Sequence, residues 1–345
     1  MPQAPIRSQA KGPVDSGRRH SGHLRQRGFV PRPPRRPAPY DQGTFAVAAA
    51  RRAEVPASSL RSLESPFRGV RSHEPLDGMA ERLDALGLVR DGTFAASHCT
   101  AAALHQLPVP RHCEHSPLHV MTKGSGRVRR PGVVGHRGLD ERSTVTVEGV
   151  LVTGLADTWL DLAPYLSLDD LVVVGDAVAR RLKDVSALHT RAHRSLPGVA
   201  RAREALEWVR VGSASPMETR SRVLFGCAGL PEPQLNVPVR DVDGGWLAEG
   251  DLVWEEARVV GEYQGATHFE TYSRGDRDIS RRRVVEGAGW TYIDFTKDDY
   301  WRRARRIALV RRVAGGLGVT LDPARLAEIG ERPGLAGPPL RPCRG

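Results

Sequence analysis

Four residues in the C-terminal third have the types and spacing for metal-dependent hydrolysis: Glu218, Asp251, Glu262 and Gln264. Asp251 lies in the run WLAEGDLVW, and Glu262 follows eleven residues later in RVVGEYQG. If both runs are strands, a reversal through WEEAR sets the two carboxylates side by side. Residues i and i+2 of a strand share a face, so Glu262 and Gln264 point one way and Tyr263 the other. Two carboxylates, joined by Glu218 from a helix, make a hard oxygen site suited to Mg2+ or Mn2+. Such an ion lowers the pKa of a bound water and neutralises charge on a phosphate in flight. Without a cation the paired acids repel and one pKa rises. Each residue also has a plainer reading. Glu218 stands three residues after Ser215 and completes a capping box; a lone Asp251 is a turn or edge residue; Gln264 is a surface amide before Gly265.

The elements that must position these residues are legible from about 215 onward. SPMETRSRVLFGCAG reads as a helix with Ser215 as N-cap, Pro216 at the first helical position, and Met217, Leu224 and Ala228 along one face. LNVPVRD and WLAEGDLVW read as two strands around a DGG turn, and RVVGEYQG as a third, the most buried-looking of the set. A helix through DRDISRRRVVEGAG ends at Gly289. WTYIDF is a fourth strand, and KDDYWRRARRIALVRRVA reads as one basic closing helix started by Thr296 and Asp299. Beyond about 318 regularity is lost, and 316–345 reads as a flexible tail.

Upstream, FAVAAARRAEVPASSLRSL and SPFRGVRS read as two short helices, with Ser58 or Ser59 as N-cap, and then a short strand or wing, giving a winged-helix-like unit over 41–75. Residues 76–212 read as an α/β middle domain. Helical stretches LDGMAERLDALG and SHCTAAALHQL precede the β-branched runs PLHVMT, GVVGHRG and STVTVEGVLVTG. Helices return at LADTWLDLAPYL, at SLDDLVVVGDAVARRL with Ser167 and Asp170 as start signal, and at VARAREALEWVR. The polar stretch VGSAS marks the boundary with a C-terminal domain over 213–315. The fold class expected is α/β (α+β).

The chain of 345 residues carries a formal charge of +11, which suggests a nucleic-acid partner until the charge is located. Residues 1–36 hold nine Lys/Arg and one acid, a net of +8, which leaves +3 for the rest. Residues 1–40 therefore read as a disordered basic tail, able to bind phosphates loosely or to have no role at all. No run of about eighteen apolar residues would span a membrane, and the N-terminus lacks a secretory apolar block. Four cysteines without paired spacing fit reduced thiols, so a cytoplasmic protein with no membrane partner is expected. The cluster His98, Cys99, His112, Cys113 and His115 invites a zinc reading, but adjacent His-Cys pairs lack the C-x₂₋₄-C geometry. The arginine-rich stretch 301–312 reads as a solvated face or as a track for a DNA backbone.

The run SPMETRSRVLFGCAGLPEPQLNVPVRDVDGGWLAEGDLVWEEARVVGEYQG, with the RD and GW motifs that follow, resembles an actinobacterial endonuclease-like domain related to the very-short-patch-repair endonucleases of the PD-(D/E)XK superfamily. The resemblance implies that Asp251 and Glu262 are the metal-binding acids and Glu218 the helix-borne acid. It places Gln264 where the signature often has Lys. His268 is similar to a histidine near the active site of such relatives, and Asp278 and Arg282 resemble a charged pair on the following helix. A neutral Gln can orient the attacking water but cannot stabilise developing charge as Lys does. Residues 41–185 resemble AbiEi-like type IV antitoxin regulators, which implies DNA binding by the winged helix. Arg51, Arg52, Arg61, Arg68 and Arg71 are then the candidate phosphate contacts. The expectations are a Mg2+- or Mn2+-dependent endonuclease acting on DNA, or else a catalytically silent DNA-binding regulator or antitoxin with a partner toxin.

Overall fold

The computed structural model describes residues 36–90, 92–114, 117–124, 126, 128–193, 196–265 and 272–335, without the side chains of 114 and 272–279. The chain is a mixed α/β protein, with three sheets among the described residues. Most of the basic tail lies outside the described residues. Among the described residues no helix is long and apolar enough to cross a membrane.

The N-terminal unit pairs β1 (Thr44–Ala46) with β2 (Val70–Ser72) in antiparallel register, around the short helices Val47–Arg52 and Ala57–Leu60. Phe45, Ala50, Val55 and Leu60 form its small core. The sequence suggested Ser58 or Ser59 as the cap of the second helix, and neither caps it. Pro56 holds the cap position, and the Ser59 hydroxyl instead donates to the Pro56 carbonyl at 2.7 Å. Proline cannot donate a backbone N–H, so it fits where that N–H would have no helical partner.

The middle unit contains β3 (Phe94–Ala96), β4 (Leu118–Thr122), β5 (Arg129–Arg130), β6 (Val133–Arg137), β7 (Thr144–Val147) and β8 (Val150–Thr153). They form one mixed six-stranded sheet in the order β5-β6-β4-β3-β8-β7. The β7–β8 hairpin turns through Glu148 and Gly149, both at positive φ, as a two-residue connection requires. Helices Leu155–Leu162, Leu168–Leu182 and Val199–Leu206 supply an apolar cluster around the fully buried Trp159. Its indole N–H donates to the Leu171 carbonyl at 3.0 Å, which lets a polar edge sit in the core without an unmet donor.

The C-terminal sheet holds β9 (Gln234–Arg240), β10 (Trp246–Trp254), β11 (Val259–Tyr263) and β12 (Thr291–Phe295) in the order β12-β11-β10-β9. The first three form an antiparallel meander, and the helix Tyr272–Gly287 carries the chain over to β12, parallel to β11. That crossover helix covers one face through Val285, against Val239, Val253, Val260 and Tyr292. Residues of the helices Pro216–Cys227 and Arg303–Leu317 cover the other, against Leu252, Trp254, Val259 and Phe295. Ser215 and Pro216 begin the first of these helices as the sequence predicts, and Ser167 caps its helix through the Asp170 N–H at 3.2 Å.

Two expectations fail here. The basic closing helix is broken at Arg302 into Lys297–Trp301 and Arg303–Leu317, because Arg302 has extended backbone. The buried Arg306 guanidinium takes the carbonyls of Tyr300 (2.7 Å) and Trp301 (3.1 Å), which compensates for the interrupted helical ladder. The segment after 318 is also not without regular structure. Pro323–Glu331 is a helix capped by Asp322, with Ile329 buried and its carbonyl bound to Arg306 at 2.8 Å. Residues 336–345 of the expected tail lie outside the described residues.

The helix Pro216–Cys227 ties the middle and C-terminal units together. Its Arg222 is paired with Asp176 of the helix Leu168–Leu182 at 2.8 Å, and both side chains are nearly fully buried. Asp176 also accepts from the Thr219 hydroxyl (2.8 Å) and the Arg210 N–H (2.7 Å). Removing one partner strands a charge in a dry site, so Asp176→Ala should destabilise the chain by about 3–5 kcal/mol. Replacing Asp176 and Arg222 together by apolar residues of similar volume should cost much less. Urea unfolding of the two variants measures the difference, and equal losses would contradict this account. A second prediction concerns Asp169, which accepts from the Leu335 N–H at 2.9 Å. Burial pushes its carboxyl up to about 6 against that hydrogen bond. Its protonated form is thus favoured in the fold. The contribution is fully present below about pH 4 and is lost as pH rises through about 6. Asp169→Asn should remove up to about 3 kcal/mol of that decline between pH 4 and pH 8, read from melting curves across pH.

Candidate active site

The strands deliver the two acids as the spacing predicts. In the β10–β11 register Leu252 faces Gly261 and Val253 faces Val260. One further step sets Asp251 opposite Glu262. The Tyr263 N–H donates to the Asp251 carboxylate at 2.7 Å, which holds that side chain against the end of β11. Glu262 lies on the face of the crossover helix and is 4 % exposed. The Arg281 guanidinium approaches its Oε2 at 3.6 Å from that helix. Tyr263 points to the opposite layer, 5.9 Å from the Phe295 ring. In the parallel pairing Glu262 stands beside Asp294, whose carboxylate meets Arg282 at 3.4 Å.

Glu218 is buried and committed to protein partners. Its Oε2 accepts from the Ala214 N–H at 2.7 Å and from the Asn236 amide at 2.8 Å. Ser215 caps the helix through the Glu218 N–H at 3.3 Å. The carboxylate thus reaches one residue beyond the cap, rather than closing the reciprocal box expected from sequence. Asn236, which the sequence did not single out, has φ +49 within β9. Asn tolerates that conformation better than most residues, and it turns the amide toward Glu218 and the Gly212 carbonyl (2.9 Å).

The three carboxylates of Glu218, Asp251 and Glu262 do not gather within 4.8 Å of one another; among the described residues, His98, His119 and His136 do. Each acid has a partner in the protein: the Ala214 N–H and the Asn236 amide for Glu218, the Tyr263 N–H for Asp251, and the Arg281 guanidinium for Glu262. The donor set still fits Mg2+, which needs one or two carboxylates and otherwise keeps water or substrate oxygens. Asp251 and Glu262 offer those two, and Glu218 is the acid with the firmest structural duty.

Gln264 follows β11 directly, half-buried, with its N–H donating to the Phe295 carbonyl at 2.8 Å. His268 and the side chain of Asp278 lie outside the described residues. Arg282 pairs with Glu286 (2.9 Å) as well as Asp294. Of the candidate phosphate contacts, Arg51, Arg52, Arg61 and Arg68 are exposed on the N-terminal unit. Arg71 is turned inward, donating to the carbonyls of Leu60 (3.1 Å) and Val70 (2.9 Å) and to the Ser65 hydroxyl (2.6 Å). It has a folding role and less to offer a phosphate.

Comparison with known proteins places the chain beside two sequences from Mycobacterium tuberculosis: "Uncharacterized protein MT2308" from strain CDC 1551 / Oshkosh, and "Uncharacterized protein Rv2248" from strain ATCC 25618 / H37Rv. Each is 28% identical over 249 residues, covering 71% of this chain and 88% of the relative. No protein-family model matches the chain, and no solved structure matches it.

Proposed function

We propose that the C-terminal unit is a divalent-metal-dependent endonuclease of the PD-(D/E)XK type, acting on phosphodiester bonds in DNA. The observation that supports this most is the opposition of Asp251 and Glu262 on adjacent strands, with Glu262 buried beside a cation. Asp251 and Glu262 would hold Mg2+ or Mn2+, which supplies positive charge at the scissile phosphate and an activated water. Arg281, half-exposed beside Glu262, is placed to hold a phosphate oxygen. The Gln264 amide can orient a water by hydrogen bonding. Glu218 acts as a positioning residue: it fixes Asn236 and hence β9, next to the strand that carries Asp251. The exposed arginines of the N-terminal unit supply phosphate contacts.

A catalytically silent DNA-binding regulator, such as an antitoxin with a partner toxin, is the second reading. Two observations favour it: Gln264 stands in the lysine position, and each acid already has a partner in the protein.

Plasmid nicking separates the two. The endonuclease reading predicts cleavage with Mg2+ or Mn2+ that falls at least ~100-fold in Asp251→Ala and in Glu262→Gln, the scale expected when a step loses several kcal/mol of charge stabilisation. Glu218→Gln keeps a side-chain acceptor and should retain activity within roughly ten-fold while lowering stability by about 1–2 kcal/mol. Nicking that survives Asp251→Ala sinks the endonuclease reading. DNA binding without metal, unchanged in Glu262→Ala and without cleavage, supports the regulator.

A further inference from the structure

Three histidines distant in sequence meet at one end of the middle sheet. His98 begins the helix His98–Leu104 after β3, His119 lies in β4, and His136 lies in β6. In the parallel β4–β6 pairing His119 faces Val134 and Met121 faces His136, so the two histidines lie on one face, diagonally across neighbouring strands. His119 Nδ1 and His136 Nε2 are 3.0 Å apart. The His98 ring is stacked on His136 at 3.6 Å and lies 5.6 Å from His119. One nitrogen from each of the three lies within 4.8 Å of the others.

Two features point to a ligand. His119 Nε2 is buried with no hydrogen-bond partner. A neutral imidazole carries one N–H and one lone pair, so either tautomer of His119 leaves a buried donor or acceptor unmet, a cost of about 1–3 kcal/mol. His98 has φ +50, in the left-handed region that histidine enters more readily than most side chains. The Ser97 hydroxyl lies 3.0 Å from His98 Nδ1, a hydrogen bond that orients the ring. Orientation through the second ring nitrogen is how proteins aim imidazoles at metals.

We propose that His98, His119 and His136 form a binding site for a Zn2+-class transition metal ion, separate from the Asp251/Glu262 pair. Three imidazoles are a ligand set for such an ion and not for Mg2+. The ion would take a lone pair from one nitrogen of each ring, and the His98 ring would turn off the His136 face to present its own. A cavity of about 780 Å³ opens on His98 and His136, with Arg142, Asp161, Tyr165 and Arg201 in its walls. A fourth coordination position is therefore open to water or a small anion. The ion would tie β4, β6 and the helix at His98 together at one point.

The test uses the full chain, freed of metal by chelation and titrated with Zn2+ by calorimetry and with Co2+ by visible absorption. One equivalent should bind, with the intense d–d bands of a low-symmetry, four-coordinate Co2+ site. His119→Ala and His136→Ala should each weaken binding at least 100-fold, while Asp251→Ala leaves it unchanged. His136 is half-buried, so His136→Asn gives a folded variant, checked by circular dichroism, should His119→Ala unfold. Wild-type protein that takes up no Zn2+, or binding that persists in folded His136→Asn, would overturn the proposal. Binding lost in Asp251→Ala but kept in His136→Asn would place the ion in the acidic pair and overturn it equally.

Discussion

The contact between Asp176 and Arg222 sets the constraint on which the C-terminal half depends. A carboxylate and a guanidinium removed from water are tolerable only when each has its partners. Arg222 finds them in Asp176 and the Trp208 carbonyl, and Asp176 in Thr219, Arg210 and Arg222. These groups belong to the helix Leu168–Leu182, the linker after the helix Val199–Leu206, and the helix Pro216–Cys227. The boundary expected at VGSAS is therefore crossed by a polar network. Val223 on the same helix joins the apolar cluster of the middle unit, while Leu224 and Phe225 join that of the C-terminal sheet. One helix thus serves two cores.

This arrangement has consequences for the acids. Glu218 lies one turn before Arg222 on that shared helix, and it hydrogen-bonds Asn236 of β9. The position of β9, and through it β10 with Asp251, is thereby referred to the middle unit rather than to the C-terminal sheet alone. The shared helix is held by buried charge on one side and by apolar packing on the other.

Much of the C-terminal unit was legible because its signals are local. Ser215, Pro216 and the apolar spacing of Met217, Leu224 and Ala228 specify a helix within one window. The reversal between β10 and β11 follows from the length of WEEAR, and so does the opposition of Asp251 and Glu262. The break at Arg302 was not legible, because the group that compensates for it, the Arg306 side chain, binds carbonyls on the short helix and at Ile329 that only the fold brings together. A run of arginines looks solvated until burial distinguishes one of them. The inward turn of Arg71 was hidden for the same reason: it depends on carbonyls at Leu60 and Val70, which only the folded unit supplies.

The histidines show the limit of spacing arguments most plainly. Within the cluster at 98–115, Cys99 and Cys113 are apolar core residues, and His112 is exposed. His98 is shared between that dismissed set and the triad, but its partners His119 and His136 come from strands whose order β5-β6-β4-β3-β8-β7 departs from chain order. A zinc ribbon announces itself because its ligands lie in short loops; a site across parallel strands does not, since the connection between them can be any length. What such a site leaves behind is physical rather than textual: a buried imidazole nitrogen with no partner, and rings from three separate elements packed together. A single ion taking a lone pair from each imidazole would add one more tie between β4, β6 and the helix at His98, elements that Leu118, Val120, Val133, Ala101 and Leu104 already join in one apolar cluster.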